Sequence, residues 1–122
     1  MINVVIAGSG KFKDYETLEV TCNSLIGHLP KDNVTIIHGA RPEGVDALAV
    51  EYAEKNGYKN IEEFPADWDS YKKAAGPIRN KRMAEKGDMV IVFWNGYSKG
   101  SWNMIQEALG YGCHLFVHND KI

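Results

Sequence analysis

Three times in this chain a short apolar run ends in a turn of glycines and gives way to a helical pattern. Ile2–Ala7, broken only by Asn3, runs into "GSGKF"; Val34–His38 runs into "GARPEG"; Met89–Trp94 runs into a loop holding Gly96, Ser98, Gly100 and Ser101. The runs are short and rich in β-branched residues, which marks strands covered on both faces. The helical stretches read as clearly. Asp14 stands as N-cap before Tyr15, Leu18, Cys22, Leu25, Ile26 and Leu29, with Pro30 as the stop. Val45, Leu48, Ala49, Tyr52 and Ala53 precede Gly57, and Trp102, Ile105, Ala108 and Leu109 follow the third turn.

The remaining segments complete the alternation. Ile61–Phe64 reads as a short strand entering "PADWDSYKKAAGP", a connection with room for one helical turn. A helix starts at Pro77, and Leu115–Val117 makes a fifth strand. The expected architecture is a single three-layer α/β domain over residues 1–122, with a mainly parallel five-stranded sheet and helices on both faces. Right-handed crossovers bring "GSGKF", "HGARPEGVD", "PADW" and "NGYSKGS" to one edge of that sheet. Ligands of open α/β sheets bind there, where strand order reverses.

A net charge of −2 gives no bulk attraction for nucleic acid or anionic membrane, so neither is an expected partner and any anion must be held locally. The chain enters a strand without a secretory apolar segment, and no run is long enough to span a bilayer. Cys22 and Cys113 have no disulfide-framework spacing, which predicts reduced thiols and a cytoplasmic protein.

The loop after Met89–Trp94 presents backbone N–H groups at a helix start, the arrangement a phosphate needs. Arg79 and Arg82, three apart on the preceding helix, can face one side of it. Together with Lys72, Lys73 and Lys81 they form either a solvated face or cations beside an anion hole, and Arg79 is the preferred candidate. "GSGKF" holds two glycines of the dinucleotide fingerprint, with Lys13 in place of the third; it is a phosphate turn or an ordinary tight turn. Gly39 permits close approach of a ligand, while Asp46 either caps its helix, the favoured role, or touches a ribose hydroxyl. Trp68 either stacks on a base or plugs the gap under its loop. His114 and His118 lie on a strand, too far apart for one metal, and no P-loop or nucleophile elbow is present. No metal and no resident cofactor are expected.

The segments "GSGKFKDY", "HGARPEGVDALAVEYA", "FPADWDSYKKAAGPIRNKRM" and "VFWNGYSKGSWNMI" resemble the YspA, cpYpsA-related branch of the SLOG superfamily. The resemblance covers nearly the whole chain. It implies a Rossmann-like fold and a nucleotide-derived ligand, of the NAD or ADP-ribose type, because the superfamily includes the Lonely Guy phosphoribohydrolases and the DprA/Smf proteins. Arg79 and Met83 are similar to the arginine and methionine of the Lonely Guy motif, in which the arginine is catalytic. "GYSKGSWNM" is similar to its phosphate-binding motif, with Gly96, Gly100 and Ser101 in the glycine and hydroxyl places and Met104 where a catalytic glutamate falls. A thioether transfers no proton. The branch usually carries an arginine where this chain has Gly10, with Lys11 as the stand-in, and the "HGARPEGVD" loop is slightly longer than usual.

The reading is therefore a binding protein for a nucleotide-derived small molecule, acting as sensor or sequestering protein. Its expected site comprises Gly8, Ser9, Lys11, Gly39, Asp46, Asp67, Trp68, Arg79, Asn80, Gly96, Ser98, Gly100 and Ser101. The alternative is a nucleotide N-glycosidase that recruits Asp67 or Glu107 in place of the missing carboxylate. A third reading, assembly into a homodimer or larger homo-oligomer, rests on Trp94, Tyr97 and Trp102.

Overall fold

The computed structural model describes residues 1–119. Five strands alternate with helices: β1 (Ile2–Gly8), α1 (Tyr15–Ile26), β2 (Val34–His38), α2 (Gly44–Lys55), β3 (Asn60–Glu63), a single-turn α3 (Trp68–Tyr71), α4 (Ala75–Lys86), β4 (Met89–Trp94), α5 (Lys99–Gly110) and β5 (His114–Asn119). All pairings are parallel, in the order β3-β2-β1-β4-β5. After β3 the chain crosses back over the sheet to lay β4 on the free side of β1. The order therefore reverses beside β1, and a crevice opens at the carboxyl ends of β1 and β4.

The strand pleat deals alternate residues to two cores. Val4 and Ile6, with Ile36, Ile91 and Phe93, pack against α1 and α2 through Leu18, Cys22, Ile26, Ala49 and Tyr52. Val5 and Ala7, with Ile37, Val90 and Val92, pack against α4 and α5 through Met83, Ala84, Met104, Ile105 and Ala108. This is the expected three-layer Rossmann-like domain. Both cysteines are free. No helix among the described residues is long and apolar enough to cross a membrane.

Several boundaries differ from expectation. The first helix stops at Ile26, where Gly27 N–H bonds Asn23 O, so Pro30 does not end it and Leu29 packs on the core from outside the helix. The helix expected from Pro77 begins two residues earlier at Ala75, because alanine and glycine add no apolar signal to its first turn. Strand β3 ends at Glu63 rather than Phe64, although Phe64 N–H still bonds His38 O. Strand β5 runs the full length of β4, well beyond Leu115–Val117.

The sheet hands over to the site at His38. Its ring Nδ1 accepts the Ala40 N–H at 3.0 Å, and Ala40 takes a left-handed φ of 65°. Burial pushes the His38 pKa down from its ordinary 6.5, against weaker upward pulls from Asp46 and Glu63. The folded state thus binds the proton less readily than the unfolded chain. Stability is complete above the unfolded pKa and is lost as pH falls below about 6.5. The urea midpoint is expected to drop between pH 7.5 and 5.5, with that drop reduced in His38→Gln; identical pH profiles for the two proteins contradict it. Core truncation gives a second check. Phe93 is fully buried, with its ring centroid 5.2 Å from that of Phe12. Phe93→Ala is expected to lose about 3–5 kcal/mol in denaturant unfolding.

Candidate functional site

A cleft of about 770 Å³ opens at the carboxyl edge, on the α4 and α5 side of the sheet. The β2–α2 loop (Gly39 to Pro42) forms one wall, and Pro65, Ala66 and Trp68 another. The N-terminal halves of α4 and α5 close it with Arg79, Asn80, Lys99 and Gly100. A narrower recess of about 50 Å³ continues inward past Arg79 to Gly8, Asp46, Ser101 and Met104.

Arg79 sits at the junction. Its Nη1 donates to Gly39 O at 2.6 Å and its Nε to Asn80 Oδ1 at 3.0 Å. Nη2 makes no hydrogen bond among the described residues. Burial lowers the Arg79 pKa; the Asp46 carboxylate opposes that effect and the nearby Arg41 adds to it. A guanidinium stays charged under such a shift. The close approach to Gly39 requires glycine there: a Cβ would stand 2.5 Å from Arg79 Nη1 and 2.8 Å from Asp46 Oδ2. Asn80 ties the arginine to the opposite helix. It is buried, and its Nδ2 donates to Asn103 Oδ1 at 2.9 Å and Gly100 O at 3.2 Å.

The α5 start divides its amides between protein and cleft. Asn95 Oδ1 accepts the Tyr97 and Ser98 N–H groups, each at 2.8 Å. Ser98 is the N-cap, accepting Ser101 N–H at 3.3 Å and the Ser101 hydroxyl at 3.1 Å. The amides of Lys99 and Gly100 keep no acceptor among the described residues, and both residues line the cleft. An anion there meets two N–H groups, the helix dipole and the free edge of Arg79.

The expected residues divide clearly. Gly39, Trp68, Arg79, Asn80 and Gly100 line the cleft, and Gly8, Asp46, Ser98 and Ser101 line the recess. Trp68 is 56% exposed against Gly76, so it walls the cleft and does not plug a core. Asp46 does not cap α2, whose N-cap position is Glu43. The Asp46 carboxylate is buried and accepts Arg41 N–H at 3.2 Å, which holds the β2–α2 loop in place. Ser9 lines neither space; its hydroxyl accepts Lys11 N–H at 3.1 Å, and Lys11 itself is exposed away from the cleft. Asp67 is the N-cap of α3, accepting Ser70 N–H, and Glu107 also lies outside the cleft. Gly96 belongs to a separate shallow hollow beside Trp94, Tyr97 and Trp102. Arg82 is exposed and does not share the position of Arg79, because Met83 and Ala84 take the buried face of α4.

Sequence reasoning missed Arg41, which lines both spaces, together with Lys99 and Asn103 in the cleft; of the basic cluster named with Arg79, Lys73 also lines the cleft. The signal for Arg41 was available in "GARPEG", as a cation inside a loop already placed at the sheet edge.

Comparison with known proteins agrees with this fold. The model of the YspA, cpYpsA-related SLOG family matches residues 2–71. The Gene 61 protein of Mycobacterium phage D29 is 31% identical over 126 residues, covering 99% of each chain. Among solved structures, DNA processing protein A (DprA) from Streptococcus pneumoniae superposes with a TM-score of 0.77 at 20% identity, over all of this chain and 52% of the DprA chain. This chain thus spans about half the length of DprA, and the likeness is one of fold. By family model and full-length relative together, the chain belongs to the YspA, cpYpsA-related SLOG family.

Proposed function

We propose that this protein binds a nucleotide-derived small molecule in the cleft and recognises it without cleaving it. The observation that carries the reading is that Arg79, with no Nη2 partner among the described residues, lines one space of about 770 Å³ together with Lys99 and Gly100, whose amides keep no acceptor among those residues. That volume suits a mononucleotide or dinucleotide. Family membership supports a nucleotide-related ligand. Trp68 offers a flat, half-exposed face for a base or ribose, and Lys73 adds charge at the mouth.

The floor of the recess supports recognition over turnover. Met104, buried beside Ser101, brings no proton-transfer group to a bound sugar. Asp46 is the carboxylate of that recess, and it is engaged with the Arg41 amide. Neither Asp67 nor Glu107 reaches the space. The likeness to a protein named for DNA processing makes DNA the competing ligand, and an oligonucleotide belongs in the same assay. The reading includes a homodimer through the α5 aromatic face, where Trp102 is 47% exposed and stacks on Trp94. Light scattering that gives the mass of one protomer removes that part.

The test is titration calorimetry with AMP, NAD, ADP-ribose and a short oligonucleotide. Each charged hydrogen bond to phosphate contributes about 1.5–3 kcal/mol. Arg79→Ala is therefore expected to weaken binding by about tenfold or more. Unchanged affinity in Arg79→Ala refutes the site. Chromatography after incubation is expected to show no free base; base release abolished by Arg79→Ala establishes the glycosidase instead.

A further inference from the structure

Arg41 is the cation that the sequence pattern did not single out, and the fold goes to some length to place it. Ala40, immediately before it, holds a left-handed φ of 65°, a conformation that costs a non-glycine residue free energy and needs surrounding structure to persist. Two contacts supply that structure: His38 Nδ1 accepts the Ala40 amide, and buried Asp46 accepts the Arg41 amide. The kink turns the Arg41 side chain back over the β1–α1 turn. There its guanidinium occupies the space directly above Gly10, and a Cβ at residue 10 would collide with Arg41 Nη1, Nη2 and Cζ.

The two loops meet in a way that leaves this seat open. Gly44, with φ of 70°, lies against the Gly10 backbone, and Val45 N–H bonds Ser9 O at 3.2 Å. From this seat Arg41 lines the cleft and the recess, as Arg79 does, and it is close enough to Arg79 to depress that group's pKa. The Arg41 side chain is about half exposed, and its carboxylate partner among the described residues, Glu43, is exposed and at 3.4 Å. An exposed pair at that distance holds little energy and yields readily to a better anion. Asp46 balances one of the two guanidinium charges, while Lys73 and Lys99 add more at the cleft wall.

We propose that Arg41 is the second phosphate-binding cation of this cleft, and that the Arg41–Arg79 pair selects ligands with two linked phosphates over monophosphates. Arg79 and the α5 amides hold one phosphate; Arg41, over the β1–α1 turn, holds the next. The proposal rests on the nucleotide-binding reading above and adds the phosphate count.

Calorimetry with AMP and ADP-ribose on four proteins tests it. Wild type is expected to bind ADP-ribose at least tenfold more tightly than AMP. Arg41→Ala is expected to lose most of that preference, with AMP affinity changed less than about twofold. Arg79→Ala weakens both. Gly10→Arg combined with Arg41→Ala returns a guanidinium to the same space from the other loop, and is expected to recover the ADP-ribose preference. Rescue of this kind separates phosphate binding from loop support. If wild type binds both probes and Arg79→Ala weakens both, but Arg41→Ala keeps its preference or loses both affinities equally, the second-cation role is wrong and the nucleotide reading stands. If wild type binds neither probe, the nucleotide reading falls and takes this inference with it.

Discussion

The site depends on one charged hydrogen bond, from Arg79 on α4 to the carbonyl of Gly39 at the end of β2. Half-burying a guanidinium is costly unless its donors and charge find partners. Here Gly39 O and Asn80 Oδ1 take two donors, and Asp46 supplies opposite charge nearby. The arrangement joins elements forty residues apart in the chain. It also leaves Nη2 without a partner among the described residues. A half-buried guanidinium fixed through Nε and Nη1 keeps Nη2 for water or for a bound anion.

Glycine makes this possible through absence of side chain at particular contacts. Gly39 admits Arg79 and Asp46 to the same few ångströms, and Gly8 lets β1 pass close to Phe93 O and Val45. Gly10 and Gly44 let two sheet-edge loops touch by backbone. A Cβ at any of these points pushes walls apart that now share hydrogen bonds.

The sheet was legible in the sequence wherever both faces of a strand are covered. In β1, β2 and β4 nearly every residue must be apolar, so run and strand coincide. The edge strands bury less. β3 alternates as Asn60, Ile61, Glu62, Glu63, and β5 has exposed residues along most of its length, so their apolar signal is shorter than their pairing. Arg79 was legible because a cation on a weakly apolar helix, beside a turn of glycines, has few structural uses. Asp46 was misread because local preference favours an acid near a helix start, while its actual partner is the Arg41 amide. Arg41 was legible as a cation in a sheet-edge loop, but where its side chain lies was not. Its direction is set by the φ of Ala40 and by vacancy at Gly10, both products of tertiary packing.

Charge and polarity are distributed unevenly around the cleft, and that unevenness bears on chemistry. Arg41, Lys73, Arg79 and Lys99 gather around the cleft, while Ala7, Met83 and Met104 line the inner recess beside Asp46. A phosphate remote from the bond to be broken keeps its charge through the reaction, so the cations and helix amides that hold it contribute binding rather than rate unless that binding is used at the reacting centre. Bond cleavage needs a group whose contribution grows as charge moves, and a proton donor or acceptor is the usual one. Met104 supplies none of it, and the Asp46 carboxylate of the same recess is engaged by the Arg41 amide. On the recognition reading proposed above, that division of chemistry goes with a lasting complex, the property a sensor or a sequestering protein requires.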